Sequence, residues 1–215
     1  GMEVLLWPLR SIILEWCTES EGKEKALVNY TINMVAFMRS GQLQFSKSKL
    51  INDLLGGQDV FFHHDKPCGT EMRSLSNGVI EMTHFLPAGK PKDKFTKPAL
   101  FFNLRGNACD FPVQEDLLLD LATVVVILVD IRELHKSLVQ QHLKQTAQRE
   151  QRILFILTDD GRHSESEVER LYDQFLEVVE NAIDESNIVM TFEMDGRKKN
   201  RSEVELEVTE MINAS

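Results

Sequence analysis

The octet Gly41-Gln42-Leu43-Gln44-Phe45-Ser46-Lys47-Ser48 carries the spacing of a loop that grips phosphate, G-x-x-x-x-G-K-S. Such a loop needs glycines that turn backbone N–H groups inward, a lysine for the outer phosphates and a hydroxyl for Mg²⁺. It also needs a helix whose positive N-terminus opens directly behind it. Here Ser46 stands where the second glycine belongs, and its Cβ is expected to crowd a phosphate or disfavour an unusual backbone angle. Leu43 and Phe45 add apolar bulk where small residues would leave the amides open. Lys47 and Ser48 keep the chemistry to meet a phosphate and a Mg²⁺. The octet therefore predicts a degenerate nucleotide site.

Two further segments belong to the same chemistry. Working GTPases place D-x-x-G after a strand, the aspartate reaching the metal shell and the glycine amide the γ-phosphate. This chain has Asn103-Leu104-Arg105-Gly106, in which a neutral amide replaces the carboxylate and Gly106 keeps its amide. Base recognition as N/T-K-x-D is expected after a later strand, where Leu157-Thr158-Asp159-Asp160 supplies Thr158 but has Asp159 in place of the lysine. Asp160 or Asp159 is then the base-facing carboxylate, the register leaving both open. Thr70, in the loop before Val79, is the candidate for a second hydroxyl near Mg²⁺, beside Ser48.

Other chemistry is less well supported by the spacing. His63-His64-Asp65 with Cys68 and His84 offers Zn²⁺ donors, but four well-spaced soft ligands are lacking. Cys68 or Cys109 with a histidine would need a converging base and an oxyanion site, which spacing does not supply. No residue stands out as the group that positions water for hydrolysis, so no catalytic residue is assigned.

The elements that must hold these residues are visible in the hydrophobic pattern. Val28 to Met38 reads as a strand running into the octet, and Leu50, Ile51, Leu54 and Leu55 share one helix face that stops at Gly56-Gly57. Val79–Leu86, Ala99–Asn103, Val124–Val129, Ile153–Leu157 and Ile188–Phe192 read as strands. Helices are expected over 113–121, across 131–151 as one crossover, and over 164–183; 204–212 is a last helix or an extended segment. Short apolar strands between amphipathic helices predict an α/β fold with a mostly parallel central sheet and helices on both faces, a three-layer P-loop NTPase-like arrangement. Residues 1–27 are expected to form an edge segment packed on a domain spanning 28–215.

With 215 residues, 42% of them hydrophobic, the chain can bury one sizeable core. Its net charge of -10 and pI near 5.1 repel phosphate backbones, which argues against a nucleic-acid partner. The longest apolar run, Ala122 to Val129, is too short to span a bilayer. Three unpaired-looking cysteines fit a reducing compartment, and a cytoplasmic location is expected. Gly1 in place of an initiator Met, and the abrupt apolar start at Val4, suggest a piece of a longer parent.

Read together, these segments resemble the G-domain of the interferon-inducible very large GTPase family, with its up-regulator of cell proliferation and CARD-containing relatives. The likeness is carried by Leu6-Trp7-Pro8-Leu9-Arg10-Ser11, Phe45-Ser46-Lys47-Ser48-Lys49-Leu50-Ile51-Asn52, Phe61-Phe62-His63-His64-Asp65, Asn77-Gly78-Val79-Ile80-Glu81 and Asn103-Leu104-Arg105-Gly106. It covers residues from about 6 to 130. The resemblance implies a G-domain-like module within a large cytosolic protein of immunity or proliferation, self-associating or meeting protein partners through its nucleotide face. The phosphate-loop role carries over to Gly41, Lys47 and Ser48, and the switch-glycine role to Gly106. Ser46, Asn103 and Asp159 depart from the working pattern. The expectation is thus a pseudo-GTPase interaction module without a required cofactor; the alternative is a slow switch that binds and hydrolyses GTP with Mg²⁺.

Overall fold

The computed structural model describes residues 4–7, 15–16, 25–26, 32–43, 45–57, 60–61, 76–91, 93–159, 164–179, 182–191 and 200–214. Its strands are β1 (Val4–Trp7), β2 (Glu15–Trp16), β3 (Lys25–Ala26), β4 (Asn33–Ser40), β5 (Ile80–Phe85), β6 (Ala99–Leu104), β7 (Val124–Asp130), β8 (Arg152–Thr158) and β9 (Ile188–Met190). The helices are α1 (Lys47–Leu54), α2 (Pro112–Leu121), α3 (Ser137–Ala147), α4 (Glu165–Val178) and α5 (Arg201–Asn213). Seven strands form one sheet in the order β1-β5-β6-β4-β7-β8-β9, and β2 and β3 pair separately. Strands β6, β4, β7, β8 and β9 run parallel, while β5 is antiparallel to β6 and carries β1 parallel to itself at the sheet edge.

Side-chain alternation explains why helices cover both faces. On β4, Val35 and Phe37 point into one core with Leu50, Ile51 and Leu54 of α1 and Val204, Val208 and Ile212 of α5. Ala36 and Met38 point the other way, into a core with Leu118 of α2, Leu143 of α3 and Phe175 of α4. All seven residues of β7 are buried, as expected for a central parallel strand covered on both sides. The result is the three-layer, mostly parallel α/β fold expected from the sequence. Among the described residues no helix is long and apolar enough to cross a membrane.

Some boundaries differ from the sequence reading, among them the helix expected over 164–183, which ends at Val178, and one open alternative is resolved. The strand leading into the octet is Asn33–Ser40, two residues beyond Met38, and Val28 to Thr31 lie outside the described residues. The single crossover helix expected over 131–151 is broken. The Asp130 carboxylate accepts the Arg132 N–H at 3.0 Å and starts a 3-10 turn over Ile131–His135, and Lys136 is extended before α3 begins. The segment 204–212 is helical, because Asn200 and Glu203 exchange reciprocal backbone hydrogen bonds of 3.1 and 2.6 Å that start α5.

The core under α1 is largely aromatic. The Phe101 ring centroid lies 5.2 Å from that of Phe95 and 6.3 Å from that of Phe37, and Phe101 has no exposed surface. Phe101→Ala is therefore expected to lower the unfolding free energy by about 3–5 kcal/mol. Val113→Ala, at a side chain that is 67% exposed, is expected to change it by less than about 0.5 kcal/mol. Urea unfolding followed by circular dichroism measures both.

Candidate functional site

The parallel strands β4, β6, β7 and β8 end on one rim of the sheet, where ligands of open α/β sheets bind. Strand β4 delivers Arg39, Ser40 and Gly41 there, and the octet then runs into α1 at Lys47. Strand β6 ends with Asn103 and Leu104, followed by Arg105 and Gly106. The start of the antiparallel strand β5 reaches the same rim, and Glu81 stands directly opposite Asn103 in the β5/β6 ladder.

Gly41 has a φ of +77, a conformation that strains any residue with a side chain. A Cβ there would also overlap the Glu133 carboxylate and lie 2.9 Å from its Cβ and Cγ. The Gly41 N–H donates to Asn107 Oδ1 at 2.8 Å, and the Gln42 N–H donates to Glu133 Oε2 at 2.9 Å. Burial works against ionisation of Glu133. Hydrogen bonds from Lys136 and the Gln42 N–H outweigh it and hold the carboxyl below its usual range.

Ser46 does not strain the loop as expected. Its φ is -78, open to any residue, and its hydroxyl caps α1 by accepting the Lys49 N–H at 3.3 Å. Leu43 and Phe45 pack partly buried against the α1 and α5 side of the core. The Arg201 guanidinium lies 5.4 Å from the centre of the Phe45 ring.

Lys47 turns inward. Its side chain is 7% exposed, and its ammonium donates to Asn103 Oδ1 and, at 2.8 Å, to the Leu104 carbonyl. The Asn103 amide in turn donates to Ser48 Oγ at 3.1 Å and to Glu81 Oε2 at 2.8 Å. Glu81 has no exposed surface and also takes Arg105 at 3.2 Å. Burial brings the Lys47 amine down to about 7; the field of Glu81 resists this and those of Arg39 and Arg105 add to it.

The other sequence-predicted residues divide. Gly106 is close by, with a φ of +89 and its carbonyl accepting Arg39 Nε at 2.9 Å. Thr158 is buried at the end of β8, where its hydroxyl reaches the Val129 carbonyl at 3.4 Å, and Asp159 follows it. Thr70, Asp160, His63, His64, Asp65 and Cys68 lie outside the described residues. Among the described residues no three His, Cys, Asp or Glu side chains gather as a metal cluster. Burial pushes the Cys109 thiol up to about 11, which disfavours the thiolate a cysteine nucleophile requires.

Sequence reasoning missed Glu81, Glu133 and a buried trio behind Gly41. In the trio the Ser40 hydroxyl hydrogen-bonds His142 Nδ1, and His142 Nε2 lies 2.9 Å from Glu115 Oε1. Ser40 has no exposed surface and Glu115 is partly exposed, so the trio ties the end of β4 to α2 and α3. Only alternation along β5 hinted at Glu81. Nothing in the spacing announced the other two.

The octet's spacing implies a Mg²⁺ nucleotide, and the described residues do not fit it. Mg²⁺ needs ionised or neutral oxygens in near-octahedral array. Here the Ser48 hydroxyl already receives the Asn103 amide, position 103 carries no charge, and the Glu81 carboxylate is engaged by Asn103 and Arg105.

The up-regulator of cell proliferation-like domain family matches residues 1–215. The chain belongs to this family. Up-regulator of cell proliferation from Bos taurus is 33% identical over 136 residues, 59% of this chain and 15% of that protein. Interferon-induced very large GTPase 1 from Homo sapiens is 31% identical over 138 residues, 60% of this chain and 6% of that protein. The matched stretch is thus a small part of each relative. A structure of Era in complex with MgGDPNP and 16S ribosomal RNA nucleotides aligns with a TM-score of 0.48 at 15% identity, over 83% of this chain and 56% of that one. The G-domain-like fold stands on the strand order above. The resemblance to the very large GTPases expected from the octet and its companions holds.

The inward lysine has a measurable signature. Its amine lies near 7 in the folded chain against 10.5 unfolded, so below pH 7 the folded state must carry a buried charge that the unfolded state solvates freely. That destabilisation is full below pH 7 and fades as pH rises toward 10.5. The unfolding free energy of the wild type minus that of Lys47→Met is expected to climb across this window in urea titrations. A flat difference contradicts the buried state of Lys47.

Proposed function

We propose that the chain is a pseudo-GTPase interaction module: a G-domain-like fold with weak or absent nucleotide binding, serving protein contacts within a larger cytoplasmic protein. The observation that carries this reading is the inward Lys47, whose hydrogen bonds go to Asn103 and the Leu104 carbonyl. Three other features support it. The Gly41 and Gln42 amides are taken by Asn107 and Glu133, Phe45 is folded toward Arg201, and position 103 bears no carboxylate. A rim whose Lys47, Asn103, Gly41 and Gln42 polar groups bond within the chain offers a fixed surface, suited to a protein partner or to a second copy of the chain. The acidic charge of -10 favours protein over nucleic acid. Kinship with the very large GTPases supports a role in immunity or proliferation.

A slow GTP-binding and hydrolysing switch is the competing reading, favoured by Lys47, Ser48 and Gly106 standing around one point of the rim. Isothermal titration with GTP and GDP in Mg²⁺, with ATP as control, separates the two. The module reading expects no saturable binding up to about millimolar ligand. Saturable guanine-nucleotide binding that disappears in Lys47→Ala establishes the switch instead.

A further inference from the structure

Glu81 occupies an unusual place for a carboxylate. Directly opposed residues of an antiparallel pair point to the same face, so Glu81 and Asn103 both face α1, as Phe101 does two residues earlier. Glu81 is therefore buried beneath the first turn of α1, next to Lys47 and Ser48. Burying a lone carboxylate is costly, and the cost is offset only by paired, hydrogen-bonded charge. The pairing is present: Arg105 lies at 3.2 Å and the Asn103 amide at 2.8 Å, with the Lys47 ammonium on the far side of that same amide.

Arg39, Lys47 and Arg105 gather at the end of the central strands. Arg39 and Arg105 each act on Lys47 electrostatically; Asp110 and Glu133 face Arg39, and Glu81 is the acidic group that acts on Lys47. In a phosphate-binding loop, such a basic cluster is balanced by the ligand. Here the protein supplies the balancing charge from its own neighbouring strand.

We propose that Glu81 is the specificity-determining residue of this rim: its carboxylate serves as the internal counter-ion to Lys47 and Arg105 and thereby excludes polyphosphate. This inference rests on the pseudo-GTPase reading and adds the residue responsible. Glu81→Gln keeps the shape and an acceptor oxygen for Asn103 but removes the charge. The basic cluster is then left short of one negative charge, and a polyphosphate is the chemical class that restores it.

The test uses the 215-residue chain, with inorganic pyrophosphate without metal and GDP with Mg²⁺ as the two probes. Titration calorimetry is expected to show no saturable pyrophosphate binding to the wild type, and saturable binding in Glu81→Gln at least about tenfold tighter than the weakest binding the titration detects. That gain is expected to vanish in the double variant Glu81→Gln, Lys47→Met. Should Glu81→Gln fail to fold in plain buffer, pyrophosphate is expected to restore its amide spectrum and cooperative melting, since a ligand bound only by the folded state stabilises it. A folded Glu81→Gln that gains nothing, or an unfolded one that pyrophosphate does not rescue, overturns the proposal while leaving the pseudo-GTPase reading intact. A wild type that binds GDP with Mg²⁺ and loses it in Glu81→Gln overturns both, making Glu81 an aid to the ligand rather than its substitute.

Discussion

The burial of the Lys47 ammonium constrains everything around it. An amine with 7% exposure at the start of α1 must find acceptors from the sheet, and they come from the end of β6 as Asn103 Oδ1 and the Leu104 carbonyl. This explains why position 103 carries an amide. An amide accepts on one side and donates on the other, so Asn103 takes the Lys47 hydrogen while giving its own to Ser48 and Glu81. An aspartate there has nothing to donate and would set a second carboxylate against Glu81 across the ladder. The amide at position 103 and the carboxylate of Glu81 are thus two halves of one arrangement.

The loop before α1 follows the same principle of internal satisfaction. Its first amides go to Asn107 and Glu133, which come from the segments after β6 and β7, so the loop is tied to both neighbours of β4. Gly41 is required both by its backbone and by the closeness of Glu133. Ser46 acts as a helix cap, a role that glycine fills less well. The loop is thus a braced corner of the fold, its first amides and its helix cap satisfied from within the chain.

Much of the fold was legible because alternation and burial leave a clear trace. Val124 to Val129, six of the seven buried residues of β7, form the apolar run expected of a central parallel strand, and the octet's place between β4 and α1 followed from Val35 to Met38 and Leu50 to Leu55. The break between Asp130 and Ser137 was not legible, since local bonds from Arg132 to the Asp130 carboxylate decided it against a helical pattern. At the site, Lys47, Ser48, Asn103 and Gly106 were found because their spacing is fixed by a local loop or turn. Glu81, Glu133 and His142 were not, because each enters by a long-range contact with no sequence period of its own.

Lys47 is committed to the interior of this chain. Nuclear magnetic resonance titration of the Lys47 side chain, labelled at Cε, with and without GDP and Mg²⁺, reads this out. A titration midpoint near 7 that nucleotide does not move is expected. A midpoint near 10.5 that responds to GDP would show a solvated lysine available to phosphate, and would contradict it.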